Sequence, residues 1–377
     1  MDSFFYFIFA QSSTQTFLMD IELQKPTVPV KKNFDFIDTI RCIAMIGIVM
    51  EHCTYNETYT STSFTLKYIV YIGLIQFSKF GTISFFLLAG FLLGSKFTTY
   101  SSWEYFKRRL STVFLPWLIW SLIFLCAILI QKFIALNHSG DFHLKKLLIE
   151  KIEMIYLFTN YWFIINFMFC IAILLCFKKY LYKWWLGGLL LMLSLIYSAN
   201  VYFEWFITSH TVAIFGFIFY LWLGAMLNKY WNKIEILIEK IPMHIFVALF
   251  LITFCLAVFD IIYLMKLKSD DPYNTLRLSN IIYSIATIFF LFKIREFNFV
   301  KYLKPRETTF GVYLIHYIFV SQLLPEVYRP FQFPSLQEMS FFYMLLFIAS
   351  RFIIVYGTTL LTIYLINKTR FRWVIGR

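Results

Sequence analysis

Charge is scarce in this chain. Asp, Glu, Lys and Arg make up 15% of its 377 residues, whereas hydrophobic residues make up 60%. Soluble domains carry about 25% charged residues, so the shortage excludes an ordinary soluble protein. Cysteine patterning is also missing. Cys42, Cys53, Cys126, Cys170, Cys176 and Cys255 lie in or beside apolar segments, without a CxxC pair or a Cys/His metal spacing. They are expected to be packing residues, with no disulfide and no metal. Lys and Arg are absent from residues 1–18, whose apolar core is too short to span. That stretch therefore lacks the basic lead of a signal peptide, and Met19 is expected to be the true start. The chain shows no internal repeat, no low-complexity linker and no interval long enough for a soluble domain.

What the chain does have is long apolar runs. Ten spanning segments are expected, at 36–54, 80–95, 110–136, 155–177, 184–200, 211–228, 243–265, 277–292, 308–324 and 340–366, each near the roughly 20 residues a span requires. The implied class is an all-α polytopic membrane protein: a lead-in (1–35), one helical bundle with a central cavity (36–366) and a basic tail (367–377). Residues 66–77 are apolar but short, either an interfacial helix or an extension of the second span. The 47 Phe and 25 Tyr read as lipid-facing bulk and interfacial belts. With the N-terminus inside, 23 of the 34 Lys and Arg fall on the cytoplasmic side and 9 in outer loops. This asymmetry predicts that both termini are cytoplasmic. It also accounts for most of the +13 charge without nucleic acid.

The first span is more polar than a span should be. Arg41 and His52 are eleven residues apart, about three turns or 16 Å along one helix face, and Asp38 lies one turn before Arg41. Ionisable groups in a bilayer cost roughly 2.5–3.5 kcal/mol each and normally face a cavity or a partner. The plainer alternative is two interfacial charges and a packing histidine. Glu51, Asp260, His316 and Arg351 are further intramembrane candidates, and an Asp260–Arg351 ion pair would explain two of them. A basic, aromatic loop (Tyr105, Phe106, Lys107, Arg108, Arg109) precedes Pro116. Such a loop suits a phosphorylated ligand, because arginine's planar fork matches phosphate oxygens; otherwise it is a topology anchor.

Four stretches, in order, resemble the membrane acyltransferase 3 family. They are Asp38-x-x-Arg41 with His52; residues 85–93 (FFLLAGFLL); residues 106–109 (FKRR) with 116–120 (PWLIW); and residues 311–316 (GVYLIH), which include Tyr313 and His316. Tyr161-Trp162-Phe163 is similar to the start of that family's fourth span. The chain departs from the pattern at Ala89, often serine in the family, at Thr112, often basic, and at Asn160, near which some relatives carry a histidine.

The resemblance implies transfer of an acyl group, acetyl being the expected one, from cytoplasmic acyl-CoA to a hydroxyl of a sugar or surface polysaccharide precursor, lipid-linked or free. It implies no permanently bound cofactor, and as partners only acyl-CoA, the saccharide and membrane lipids. The expected location is a bacterial inner membrane. A neutral imidazole can take a hydroxyl proton during attack on a thioester, so His52 is the candidate base, with Glu51 or Asp38 to orient or tune it. Arg41, Arg108 and Arg109 are candidate CoA contacts. Trp162, Tyr313 and His316 are candidate substrate contacts, His316 alternatively a packing residue. The main rival is a transporter or flippase of a lipid-linked saccharide, which requires no histidine paired with a basic CoA-like site. A catalytically inactive scaffold is a third reading.

Overall fold

A computed structural model describes residues 35–377 apart from 62, 95, 97, 98, 137–143 and 377. The expected lead-in, with Met19, lies outside the described residues. In chain order the helices are α1 (Asp35–Thr54), α2 (Leu66–Ser78), α3 (Gly81–Gly94), α4 (Ser102–Arg109), α5 (Leu115–Leu136), α6 (Leu144–Phe158), α7 (Trp162–Cys176) and α8 (Trp184–Phe203). They continue as α9 (Ile214–Lys229), α10 (Trp231–Lys240), α11 (Met243–Lys266), α12 (Leu278–Ile294), α13 (Val300–Leu303), α14 (Pro305–Ile318), α15 (Leu324–Tyr328) and α16 (Phe341–Asn367). No strand occurs among the described residues.

By length and composition six stretches can cross a membrane: Leu66–Gly94, Ser102–Ile134, Trp184–Phe203, Met243–Lys266, Pro305–Phe331 and Phe341–Asn367. The pair Lys145–Phe158 and Trp162–Cys176, bent by 64° at its break, makes a seventh. Ile214–Lys229 and Leu278–Ile294 are shorter apolar helices, and α1 is a 20-residue helix carrying several charges. Each of the ten expected segments coincides with one of these, and the chain is an all-α, multi-pass membrane protein. Residues 66–77 prove to extend the second span.

Three local devices shape the site. The first is a proline effect. Short π-helical turns at Leu110–Phe114 and Phe319–Leu323 come just before Pro116 and Pro325. A proline has no N–H to give and its ring displaces the carbonyl four residues back, so the helix widens by one residue there. Ahead of the first widening, Ser101 and Glu104 form a reciprocal capping box, and Lys107, Arg108 and Arg109 fill the last turn of α4, where the helix dipole favours cations.

The second device is glycine packing. A Cβ on Gly90 would collide with the Leu221 carbonyl, and one on Gly224 with the Leu87 carbonyl. Helices α3 and α9 thus touch backbone to backbone, as small residues permit in membranes.

The third device is the break between α6 and α7 at residues 159–161. Asn160 Nδ2 donates to the Tyr313 carbonyl (2.8 Å), and the Tyr313 hydroxyl donates to the Asn160 carbonyl (2.6 Å). The Tyr161 hydroxyl donates to the Leu314 carbonyl (2.6 Å), and Trp117 Nε1 to the Tyr161 carbonyl (3.0 Å). Irregular backbone survives at membrane depth only when protein groups satisfy it, and here α5 and α14 do so.

The expected Asp260–Arg351 pair does not form. Arg277, at the start of α12 and fully buried, reaches Asp260 Oδ2 at 3.2 Å, and its other nitrogen reaches Gln76 Oε1 at 2.5 Å. Asp260 also accepts from Tyr202 (2.8 Å) and Ser279 (2.5 Å). Arg277 sits where α12 begins beside α11, whereas Arg351 lies on α16 against the Phe347 ring. The end of the expected tail folds back: Trp120 Nε1 donates to the Val374 carbonyl at 3.0 Å, and Ile375 is buried. Gly376 has φ +79°, and a Cβ there would press on Phe310.

Candidate functional site

Helix α1 presents Arg41, Met45, Ile48 and His52 to one cavity of about 340 Å³. Their spacing of four, three and four residues is a single helical stripe. Arg109 from α4 and Arg306 from α14 join Arg41 in its wall, with Phe85, Leu88 and Phe163 among the apolar lining. Arg41 Nη1 lies 3.3 Å from Asp38 Oδ1, and Arg306 Nε lies 2.5 Å from Asp38 Oδ2. One carboxylate thus holds two guanidinium groups. Arg109 is steadied by the Tyr105 hydroxyl, 2.9 Å from its Nε.

A second cavity, of about 810 Å³, is lined by the other end of α1 (Glu51, His52) and by the following loop, beginning with Tyr55. Tyr68, Tyr71, Tyr273 and Tyr317 add further phenol rings. His52 and Trp162 line both cavities and mark their junction. We refer to them as the arginine cavity and the tyrosine cavity.

At the junction the His52 ring lies against Tyr317, with centroids 5.1 Å apart and edge to face, and against His316 at 5.4 Å. No group among the described residues hydrogen-bonds the His52 imidazole, so its nitrogens are open to a bound molecule. His316 is fully buried, and its Nδ1–H donates to the Val312 carbonyl at 2.8 Å. Its Nε2 has no hydrogen-bond partner among the described residues. His316 lies behind His52 and does not line the arginine cavity.

Beside His52 in the chain, Glu51 binds Lys79 at 2.6 Å; their side chains are 18% and 6% exposed. Lys79 comes from the kink between α2 and α3. Across the tyrosine cavity His210 Nδ1 lies 3.2 Å from Asp271 Oδ2, and Asn274 donates to the same oxygen at 3.0 Å. Burial alone would push the Asp271 carboxyl up. The hydrogen bond and charge of His210 outweigh that and hold it below its ordinary range.

Of the residues singled out in the sequence, Arg41, His52, Arg109, Trp162 and Tyr313 line the arginine cavity. So do the three departures Ala89, Thr112 and Asn160. Glu51 faces the tyrosine cavity, and Asp38 serves Arg41 and Arg306 and is too far along α1 to touch His52. Arg108 is exposed and lies over the Tyr100 ring at 4.3 Å, bonded to its hydroxyl at 2.9 Å.

Sequence reasoning passes over several residues of the two walls. Arg306 reads in sequence only as one of the cytoplasmic topology charges. Lys79 reads as an outer-loop charge, although it is the single charge inside the apolar run 68–94, which is a usable signal. His210 and Asp271 are 61 residues apart and carry no local signal.

A family model described as an acyltransferase domain matches residues 34–367. No curated protein and no solved structure matches the chain.

Proposed function

The chain belongs to the acyltransferase 3 family, and on that premise we propose that it moves an acyl group, acetyl first among candidates, from acyl-CoA to a saccharide hydroxyl. The donor enters the arginine cavity from the cytoplasm, and its phosphates meet Arg41, Arg109 and Arg306. Guanidinium groups suit such anions because they stay charged and present a planar fork of donors. The thioester arm follows the apolar wall inward to His52. The saccharide reaches the same histidine through the tyrosine cavity, from the opposite side of the membrane.

The reaction balances with His52 alone as the proton carrier. The hydroxyl oxygen attacks the thioester carbonyl carbon while His52 takes the hydroxyl proton. The tetrahedral intermediate then collapses with cleavage of the C–S bond. The departing thiolate takes the proton back from the imidazolium, leaving an ester, free CoA and neutral His52. An unperturbed imidazole titrates near 6.5 and is largely neutral at physiological pH, the form a base must have. The observation that carries this reading is the position of His52, in the wall of both cavities and open to a ligand.

Glycan mass spectrometry on cells with matched membrane levels of each variant tests the reading. His52→Ala is expected to abolish ester addition while the protein still inserts. His52→Gln is expected to do the same although it retains hydrogen-bonding capacity. Near-normal acylation by His52→Gln would exclude proton abstraction by this residue and return it to a packing role.

A further inference from the structure

We propose that the tyrosine cavity admits a saccharide that is neutral or bears an amine, and discriminates against one bearing phosphate or carboxylate on the sugar that receives the acyl group. This rests on the reading of that cavity as the acceptor side. Two separate segments bring carboxylates to it: Glu51 and Glu57 from the end of α1 and the loop after it, and Asp270 and Asp271 from the loop between α11 and α12. The loop between α8 and α9 contributes His210, and the α2–α3 kink contributes Lys79.

The pairing of these groups decides the sign of the cavity. Lys79 is engaged by Glu51 at 2.6 Å, and His210 by Asp271 at 3.2 Å. Of the basic side chains among the described lining residues, Lys79 and His210 are therefore already held by carboxylates, and the third, His52, is the base of the proposed reaction. Glu57 and Asp270, both exposed, form no ion pair among the described residues. An anionic group entering here would meet like charge and find its counter-charges engaged, and like-charge juxtaposition is a means of rejecting wrong partners.

The remaining wall fits the complementary ligand. The accessible phenol rings of the wall, Tyr55, Tyr273 and Tyr317, present apolar faces with a negative quadrupole. Such faces suit the C–H face of a sugar ring, and they attract an ammonium group through the cation–π interaction. The arginine cavity, with three guanidinium groups in its wall, has the opposite preference.

The test is to locate the ester. Surface glycans from cells with and without the protein are fragmented and mapped by mass spectrometry. The added ester is expected on neutral or amine-bearing sugars, and an ester found mainly on uronic acids or phosphorylated sugars would overturn the charge inference while leaving acyl transfer intact. A complete absence of added ester would sink the transferase reading, and this inference with it. As a second arm, Glu57→Lys combined with Asp270→Lys is expected to raise the share of ester on acidic sugars by about tenfold, through reversed charge at the cavity. An unchanged distribution in a double variant that retains activity contradicts the proposal. Should the double variant fail to fold, the wild-type map decides alone.

Discussion

The two cavities that meet at His52 differ in how their charges are held. Among the described residues, the arginine cavity has Asp38 bridging Arg41 and Arg306 and Arg109 held by the neutral Tyr105 hydroxyl, so three guanidinium groups stand in its wall beside one described carboxylate. In the tyrosine cavity Lys79 and His210 each have their own carboxylate, and further carboxylates remain. A cavity with surplus cation can bind anion, whereas one whose cations are individually neutralised cannot. Charge counted along the sequence does not reveal this; the pairing does. One helix carries both regimes, because α1 runs from Arg41 to a last turn that holds both the junction residue His52 and Glu51.

Removing the junction should have the largest effect. Loss of a general base typically costs 10²–10⁴-fold, so either His52 variant should lower ester formation by about that factor. Breaking the neutralised side comes next. Lys79→Met strands the Glu51 carboxylate, and removing one partner of a buried pair is worth about 3–5 kcal/mol. Thermal melting in detergent should show that loss. Adding Glu51→Gln should restore most of it, and a double variant no more stable than the single would mean the pair is not what holds this region.

The sharpest contrast within the positive side is Arg109 against Arg108. Arg109→Ala should remove a charge-assisted contact worth about 1.5–3 kcal/mol and weaken CoA-induced thermal stabilisation. Arg108→Ala, which alters only an exposed stack on Tyr100, should leave that stabilisation unchanged. Equal CoA shifts for the wild type and Arg109→Ala would reduce Arg109 to a topology anchor.

The smallest effect concerns pH. The folded Asp271 carboxyl is held below its ordinary value by His210. A depressed carboxylate stabilises the fold above its unfolded pKa, and that contribution is lost as pH falls through the lower folded value. Asp271→Asn should therefore lower stability at neutral pH and narrow its gap from the wild type on acidification. A gap that widens towards acid would contradict the pairing.

The helical class and the spans were legible because bilayer-length apolar runs are local features. The Arg41–His52 stripe was legible for the same reason: both residues lie on one uninterrupted helix whose period fixes their faces. The tyrosine cavity was not. His210 and Asp271 meet only because two loops between different helices close on each other, with Asn274 donating to the Thr208 carbonyl at 2.7 Å. Arg277 likewise reads in sequence as no more than a charge at the start of a span, and its tie to Gln76 spans 201 residues. The packed end of the chain escaped notice because its basic residues resemble an ordinary cytoplasmic tail, whereas Ile375 and Gly376 decide where it goes.

The central claim is that donor binding and proton transfer are divided between the arginine cavity and its junction with the second cavity. It is tested most directly by measuring CoA-induced thermal stabilisation of purified His52→Gln beside wild type and Arg41→Ala. The account predicts that His52→Gln keeps the wild-type shift although it forms no ester, and that Arg41→Ala loses most of the shift. A normal shift in Arg41→Ala, together with a lost shift in His52→Gln, would contradict it.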